Sequence, residues 1–373
     1  MRSSSIMNSQ TFSIYFLFLQ SFFAILCPVF AQNGENSEKL SAKPQTPPQP
    51  FAAYSAKFRD VVYEYAMQNF SDSEYENAVG AVFSATESAL GKPIRPAKFG
   101  KVALKIYTNS GGGLATPQAL VDAVIKELNL RGYANKNIAI VDMRRHYLRQ
   151  SGYLPKIGEI VSGRPDNYKG CPVYDLASRK YYDKNWFYDN QMPAKVPRFA
   201  DESEPFGVSE KTRRKSFLPV PLFLNVDFWI NLPVITDMDS IGVSAALANA
   251  SIWNMSNGER FFEATANAPV AVAEVMAIPE LNESLLLNIL SFQYGQVVGG
   301  SVFNNAYTAS DRLLIASQNP CAVDAVAWEF LCTNRAKKGF PVSAEKPVMF
   351  EYCRQLQIGE SDFAKLKFVP LNR

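Results

Sequence analysis

One stretch, Lys101 to Asp142, restricts the folds open to this chain more than any other. Lys101 to Tyr107 (KVALKIY) is an apolar run of strand length. Asn109-Ser110-Gly111-Gly112-Gly113 follows as a flexible loop, and Thr116 with Pro117 reads as the cap and first position of a helix running to about Leu130. Asn137 to Asp142 (NIAIVD) is a second strand that ends in a carboxylate. Strand, glycine loop, helix and strand in so short a span imply a right-handed parallel crossover. A chain that begins this way is committed to an open α/β sheet, with any ligand beyond the carboxyl ends of the strands. Three glycines let backbone approach such a ligand closely, with amides and a helix N-terminus directed at it. The spacing is neither GxGxxG nor a P-loop, so it does not indicate a nucleotide.

The stretch Val226 to Asn254 supplies the other half of the expected crevice. An apolar strand, Val226 to Leu232, breaks at Pro233 and enters a polar loop carrying Thr236, Asp237, Asp239 and Ser240. A small-residue segment, Gly242 to Asn249, then reads as a tightly packed helix. Further on come a helix from Pro269 to Ala277, a strand at Ser284 to Phe292 and a Gly299-Gly300 turn. Arg312 to Ser317 is a last strand, before a closing helix capped by Asn319 with Pro320 at its first position. The expected fold is α/β: one doubly wound, mainly parallel sheet over residues 101–335. A helical hairpin precedes it at 51–100, with one face made by Phe51, Tyr54, Phe58, Val62 and Tyr65, and a second helix from Ser71 or Asp72 to Gly91. Residues 154–217, polar and rich in Tyr, form a long insertion, either a lid over the crevice or a decorated surface loop. The tail, 336–373, reads as loops with one short helix packed on the domain.

Residues 1–31 read as a targeting segment. Arg2 gives a positive start, Phe16 to Phe30 an apolar run, and Val29-Phe30-Ala31 a small-x-small cleavage site. The expectation is secretion or export to a periplasm without a membrane anchor after cleavage; an uncleaved anchor is the alternative, although Gln20 and Ser21 interrupt the run. Residues 32–50, polar and proline-rich, read as a disordered linker. The net charge of +3 and the absence of a basic stripe with interleaved aromatics exclude a nucleic-acid footprint, Lys211 to Lys215 (KTRRK) reading as a solvated loop. Of five cysteines, Cys27 leaves with the targeting segment. Cys171, Cys321, Cys332 and Cys353 have no cluster spacing, so neither an iron–sulfur nor a zinc site is expected, and no other cofactor is indicated. Cys321 and Cys332 fall on one helix, about 16 Å apart along its axis, too far to bridge; any disulfide must involve Cys171 or Cys353.

Acid–base chemistry has little to draw on. The sole histidine, His146, lies four residues beyond Asp142, either a general base at the crevice mouth or a solvent-facing side chain. Asp142, Asp237 and Asp239 could gather a hard cation through oxygen ligands or could serve as loop caps. Asp324, in the first turn of the closing helix, suits the helix dipole. Lys105 lies near the end of a buried strand, where an unpaired ammonium is costly, so it must pair with Asp142 or Asp324.

With these elements placed, the chain resembles the domain-of-unknown-function family 362 over roughly Lys101 to Thr333. The segments that carry the resemblance are LKIYTNSGGG…ATP, Asp142, INLP…GVSAALAN and NPCAVDAVAWEFL. Members of that family sometimes carry ferredoxin-type cluster domains; this chain has none. Where the family places Lys-Thr-His after its proline turn, this sequence has Thr236, Asp237 and Met238. The family's Lys-Asn pair is Ala248-Asn249, its His-Pro is Thr116-Pro117, its Asp-Pro is Asn319-Pro320, and an acid after the penultimate strand is Ser291. What the resemblance retains is Lys105, the glycine loop, Asp142, Asn231, Gly242, Asn249 and Asp324. A small-molecule site is expected at Lys105, Ser110, Gly111, Gly112, Gly113, Asp142, Asn231, Asn249 and Asp324, in a member of such a family that either binds an anionic ligand, to which the loop amides and helix N-termini are suited, or is catalytically degenerate. Two other readings stand beside it: a hydrolase or transferase using a metal held by carboxylates, and a surface interaction protein using the aromatic insertion.

Overall fold

The computed structural model describes residues 60–159, 165–190, 214–262 and 267–372. The targeting segment, the linker, residues 51–59 of the expected first helix of the hairpin and the middle of the insertion fall outside the described residues. The strands are β1 (Val61–Ala66), β2 (Val102–Ile106), β3 (Ile138–Asp142), β4 (Asn167–Tyr168), β5 (Cys171–Asp175), β6 (Tyr182–Asp189), β7 (Lys215–Pro219), β8 (Phe228–Leu232), β9 (Ile235–Met238), β10 (Gly242–Ser244), β11 (Leu285–Ser291), β12 (Gly295–Gln296), β13 (Thr308–Ala309), β14 (Leu313–Ser317) and β15 (Lys367–Pro370). The helices are α1 (Asp72–Leu90), α2 (Gln118–Leu130), α3 (Arg145–Gln150), α4 (Ala246–Ala250), α5 (Ala268–Met276), α6 (Pro279–Glu283), α7 (Pro320–Lys338) and α8 (Met349–Gln355).

Nine strands form the central sheet in the order β15-β1-β14-β11-β8-β2-β3-β5-β4. The run β11-β8-β2-β3-β5 is parallel throughout. This is the mainly parallel α/β sheet expected, and its central strands are buried on both faces, which is why they read as near-continuous apolar runs. Alternation divides them between two cores. Leu104, Ile140 and Ile230 point to the side covered by α1 and α2, where Tyr75, Phe83 and Val124 meet them. Ala103, Val141 and Trp229 point to the side covered by α4, α5, α7 and α8.

Several segments differ from the sequence reading. Residues 61–66 are a strand, not part of a first helix. VVYEYA is rich in strand-forming residues, and Tyr63, Tyr65 and Met67 alternate onto the α1 side while Val62 faces the other core. The second helix of the expected hairpin is present, capped by Ser71 and ended by Gly91 in the left-handed conformation. The insertion is not one loop. β5 joins the central sheet beside β3, and β6 with β7 makes a separate antiparallel ribbon tied to the core through Trp186 against Phe223 and Tyr188 against Phe261. The tail contributes α8 and an edge strand, β15, which pairs with β1. Among the described residues no helix is long and apolar enough to cross a membrane.

Candidate functional site

The carboxyl ends of the central strands carry a row of polar side chains, and register accounts for it. Lys105 lies opposite Asn231, Asn231 opposite Asn288, and Asn288 opposite Ser317. All four are buried. Lys105 Nζ donates to Asp142 Oδ1 at 2.7 Å, to Asn249 Oδ1 at 2.8 Å and to the Ile106 carbonyl at 2.5 Å. These are three acceptors for the three protons of an ammonium. Burial pushes the Lys105 pKa down and Asp142 opposes that shift. The second Asp142 oxygen accepts from the Thr108 amide at 2.7 Å and its hydroxyl at 2.6 Å. Asn249 Nδ2 donates to Asn231 Oδ1 at 2.8 Å, Asn231 Nδ2 donates to Asn288 Oδ1 at 2.8 Å, and Asn288 Nδ2 ends on the Ser317 carbonyl at 3.1 Å.

Asp324 joins the array from α7. Its carboxyl accepts from the Ala246 amide at 2.5 Å and the Leu247 amide at 3.3 Å, docking the first turn of α4. Burial pushes the Asp324 pKa well above the carboxylate range, and these two amides pull the other way. Thus Lys105, Asp142, Asn231, Asn249 and Asp324, all named from the sequence, meet in one region. Lys105 chooses Asp142, and Asp324, which lies beyond the first turn of α7 and not in it as expected, serves the start of α4 instead.

The glycine loop lies over this array, and its glycines fit the protein itself. The loop is closed at its base by the Thr116 amide on the Tyr107 carbonyl at 2.8 Å. A Cβ on Gly112 would lie 2.5 Å from the Gln150 carbonyl of α3, and one on Gly113 would enter the Phe303 ring. Ser110 bonds the Tyr107 phenol at 2.8 Å. Thr116 does not cap α2. Its hydroxyl donates to the Leu232 carbonyl at 2.6 Å and accepts from the Tyr107 amide at 2.8 Å, tying the ends of β2 and β8 together. α2 therefore begins without a side-chain cap.

One residue of this loop escaped the sequence reading as a site residue. Asn109 is 8% exposed, and neither its Oδ1 nor its Nδ2 has a partner within the protein. The only sequence signal for it is its place between a buried strand and three glycines.

The candidate metal ligands do not assemble. Asp142 is taken by Lys105, and Asp237 by Arg335, with the Gly299 amide on its other oxygen at 3.1 Å. Burial raises the Asp237 pKa and Arg335 opposes it. The expected polar loop at 236–240 is instead a hairpin of β9 and β10, with Asp237 inside and Asp239 exposed. Among the described residues, no three His, Cys, Asp or Glu side chains are arranged to hold a metal. His146 is exposed on α3, its ring 3.9 Å from that of Tyr147.

No protein-family model matches the chain, and no curated protein matches it. A crystal structure of a protein from Thermotoga maritima, determined by a structural genomics consortium, is similar over 72% of this chain and 59% of that one, at 10% identity and a TM-score of 0.36. A likeness at that score carries no argument about fold or function, and this chain spans less than two thirds of that protein's length.

Proposed function

We propose that this chain is an exported, secreted or periplasmic protein, a divergent and catalytically degenerate relative of family 362 that binds a small anionic ligand at the 107–117 loop. The observation that carries this reading is Asn109. A buried amide side chain without partners costs about 1–3 kcal/mol, and folding alone gives no return on that cost. The same loop exposes Gly112 and Gly113 and runs into the uncapped start of α2. Backbone donors and a helix N-terminus suit an anion, and the Asn109 amide supplies both a donor and an acceptor for the rest of the ligand. A phosphorylated or carboxylated sugar-like molecule meets both demands. The family relationship is supported by the convergence of Lys105, Asp142, Asn231, Asn249 and Asp324, the residues that carry the resemblance. Lys105, fully buried and saturated with acceptors, acts here by holding β2, β3 and α4 in place, not by touching the ligand. Against the metal-dependent alternative stands the neutralisation of Asp237 by Arg335.

The test is a thermal-shift screen of inorganic phosphate, sugar phosphates and uronic acids. Asn109→Ala is expected to leave the ligand-free protein as stable as the wild type or more so, by up to about 1 kcal/mol, and to abolish the shift given by the best anion. If no anion stabilises the wild type, or Asn109→Ala responds as the wild type does, the reading is wrong. For export, N-terminal sequencing of protein expressed with its own leader should return a chain beginning near Gln32. Recovery of Met1 would refute cleavage.

A further inference from the structure

Cys171, Cys321, Cys332 and Cys353 are free thiols in the structure. Cys321 is the second residue of α7 and Cys353 lies in α8, both fully buried in the same apolar cluster. The turns that carry them are fastened together. Asn319 caps α7 by accepting from the Cys321 amide at 2.9 Å, and its side-chain amide donates to the Glu360 carbonyl at 2.7 Å. The chain leaving α8 reaches that point through a bond from the Ile358 amide to the Cys353 carbonyl at 3.0 Å. Gly359 lies so close that a Cβ there would strike the Asn319 side chain. Burial raises the Cys321 thiol, and Cys353 adds to that shift. Cys171 belongs to the cluster on the opposite face of the sheet. Cys332 lies about 16 Å further along α7.

We propose that Cys321 and Cys353 are joined by a disulfide in the mature protein, locking α8 and the strap that follows it onto the start of α7. The inference rests on the export half of the function proposed above, because an oxidising compartment supplies the reagent. The thiolate of one cysteine attacks a disulfide oxidant, such as glutathione disulfide or an oxidised dithiol protein. One oxidant sulfur leaves as a thiol, and a mixed disulfide remains. The second thiolate displaces the other oxidant sulfur and closes the Cys321–Cys353 bond. The two cysteines give up two protons and two electrons, and the oxidant departs as two thiols. Both sulfurs are buried in the folded protein, so the exchange takes place before α8 closes over α7. Because α7 carries Asp324, the lock also holds the residue that docks α4 beneath the glycine loop.

The full chain, exported to a bacterial periplasm and separately refolded in glutathione redox buffer, should be alkylated in denaturant, digested without reductant and analysed by mass spectrometry. The expected product is a peptide linking Cys321 to Cys353, with Cys171 and Cys332 alkylated. Alkylation of both Cys321 and Cys353 in the refolded sample, or a link from either to another cysteine, would overturn the proposal. A link in the refolded but not the exported sample overturns export and upholds the pairing. Cys353→Ser is expected to melt about 5–10 °C below the oxidised wild type and level with it in dithiothreitol. Equal melting without reductant would also count against the bond.

Discussion

Replacing Lys105 with methionine is expected to cost about 3–5 kcal/mol of folding free energy, the largest loss from any single change at this site. Both partners of the Lys105–Asp142 pair are wholly inaccessible to water. Removing the cation leaves Asp142 Oδ1 without its charge partner and Asn249 Oδ1 without a donor. Neither group can recover hydration without opening the sheet. Lys105→Met combined with Asp142→Asn removes both charges and should restore most of the loss, because a buried pair contributes little beyond what its own desolvation costs. Urea unfolding of the two single variants and the double variant gives the coupling directly. A loss below about 1 kcal/mol in Lys105→Met, or a double variant no more stable than the worse single, would show that the pair does not hold the strands.

Asp324 should dominate the pH dependence of stability. Its folded pKa is raised, so its favourable contribution is fully present below the ordinary carboxylate value and is lost as pH rises through the folded value. An Asn at this position is neutral at every pH and keeps an oxygen for the Ala246 amide. Asp324→Asn is therefore expected to gain on the wild type as pH rises, by about 1.4 kcal/mol for each unit between the ordinary and the raised pKa. Asp324→Ala orphans the amides of Ala246 and Leu247 and should lose about 1–3 kcal/mol for each at acid pH, the loss shrinking as pH rises because the wild type itself weakens. Chemical denaturation between pH 4 and pH 8 separates the cases. A difference between wild type and Asn variant that does not change with pH would mean that the carboxyl titrates normally.

How much of this was legible in the sequence depended on distance along the chain. KVALKIY stated both that β2 is buried on two faces and that its lysine needs a partner, since burial of the strand leaves Lys105 no water. Which acid it takes is a matter of sheet order, and sheet order is set by elements far apart in sequence. The glycine loop was evident, its purpose was not. Gly112 and Gly113 are demanded by the Gln150 carbonyl and by Phe303, which approach from α3 and from the turn before β13. Thr116 satisfied every local requirement of a cap and was drawn instead to Leu232 on a neighbouring strand. Asp237 read as a loop aspartate because its partner, Arg335, lies 98 positions away. The strand at 61–66 was hidden for a different reason: aromatic spacing in the preceding residues satisfies a helical period that runs on into it.

The pairing of β1 has a consequence in time. This first strand of the sheet bonds only to β14 and β15, and the Ala66 amide ends on the side chain of Asn372, 306 residues later. A ribosome delivers β1 long before either neighbour exists. The strand therefore has no sheet to join until synthesis of this region is complete, and the edge of the fold is sealed last. Under the export proposed above, that delay leaves β1 unpaired while the rest of the chain is still being made. A change in β15 or at Asn372 therefore acts directly on the first strand of the sheet.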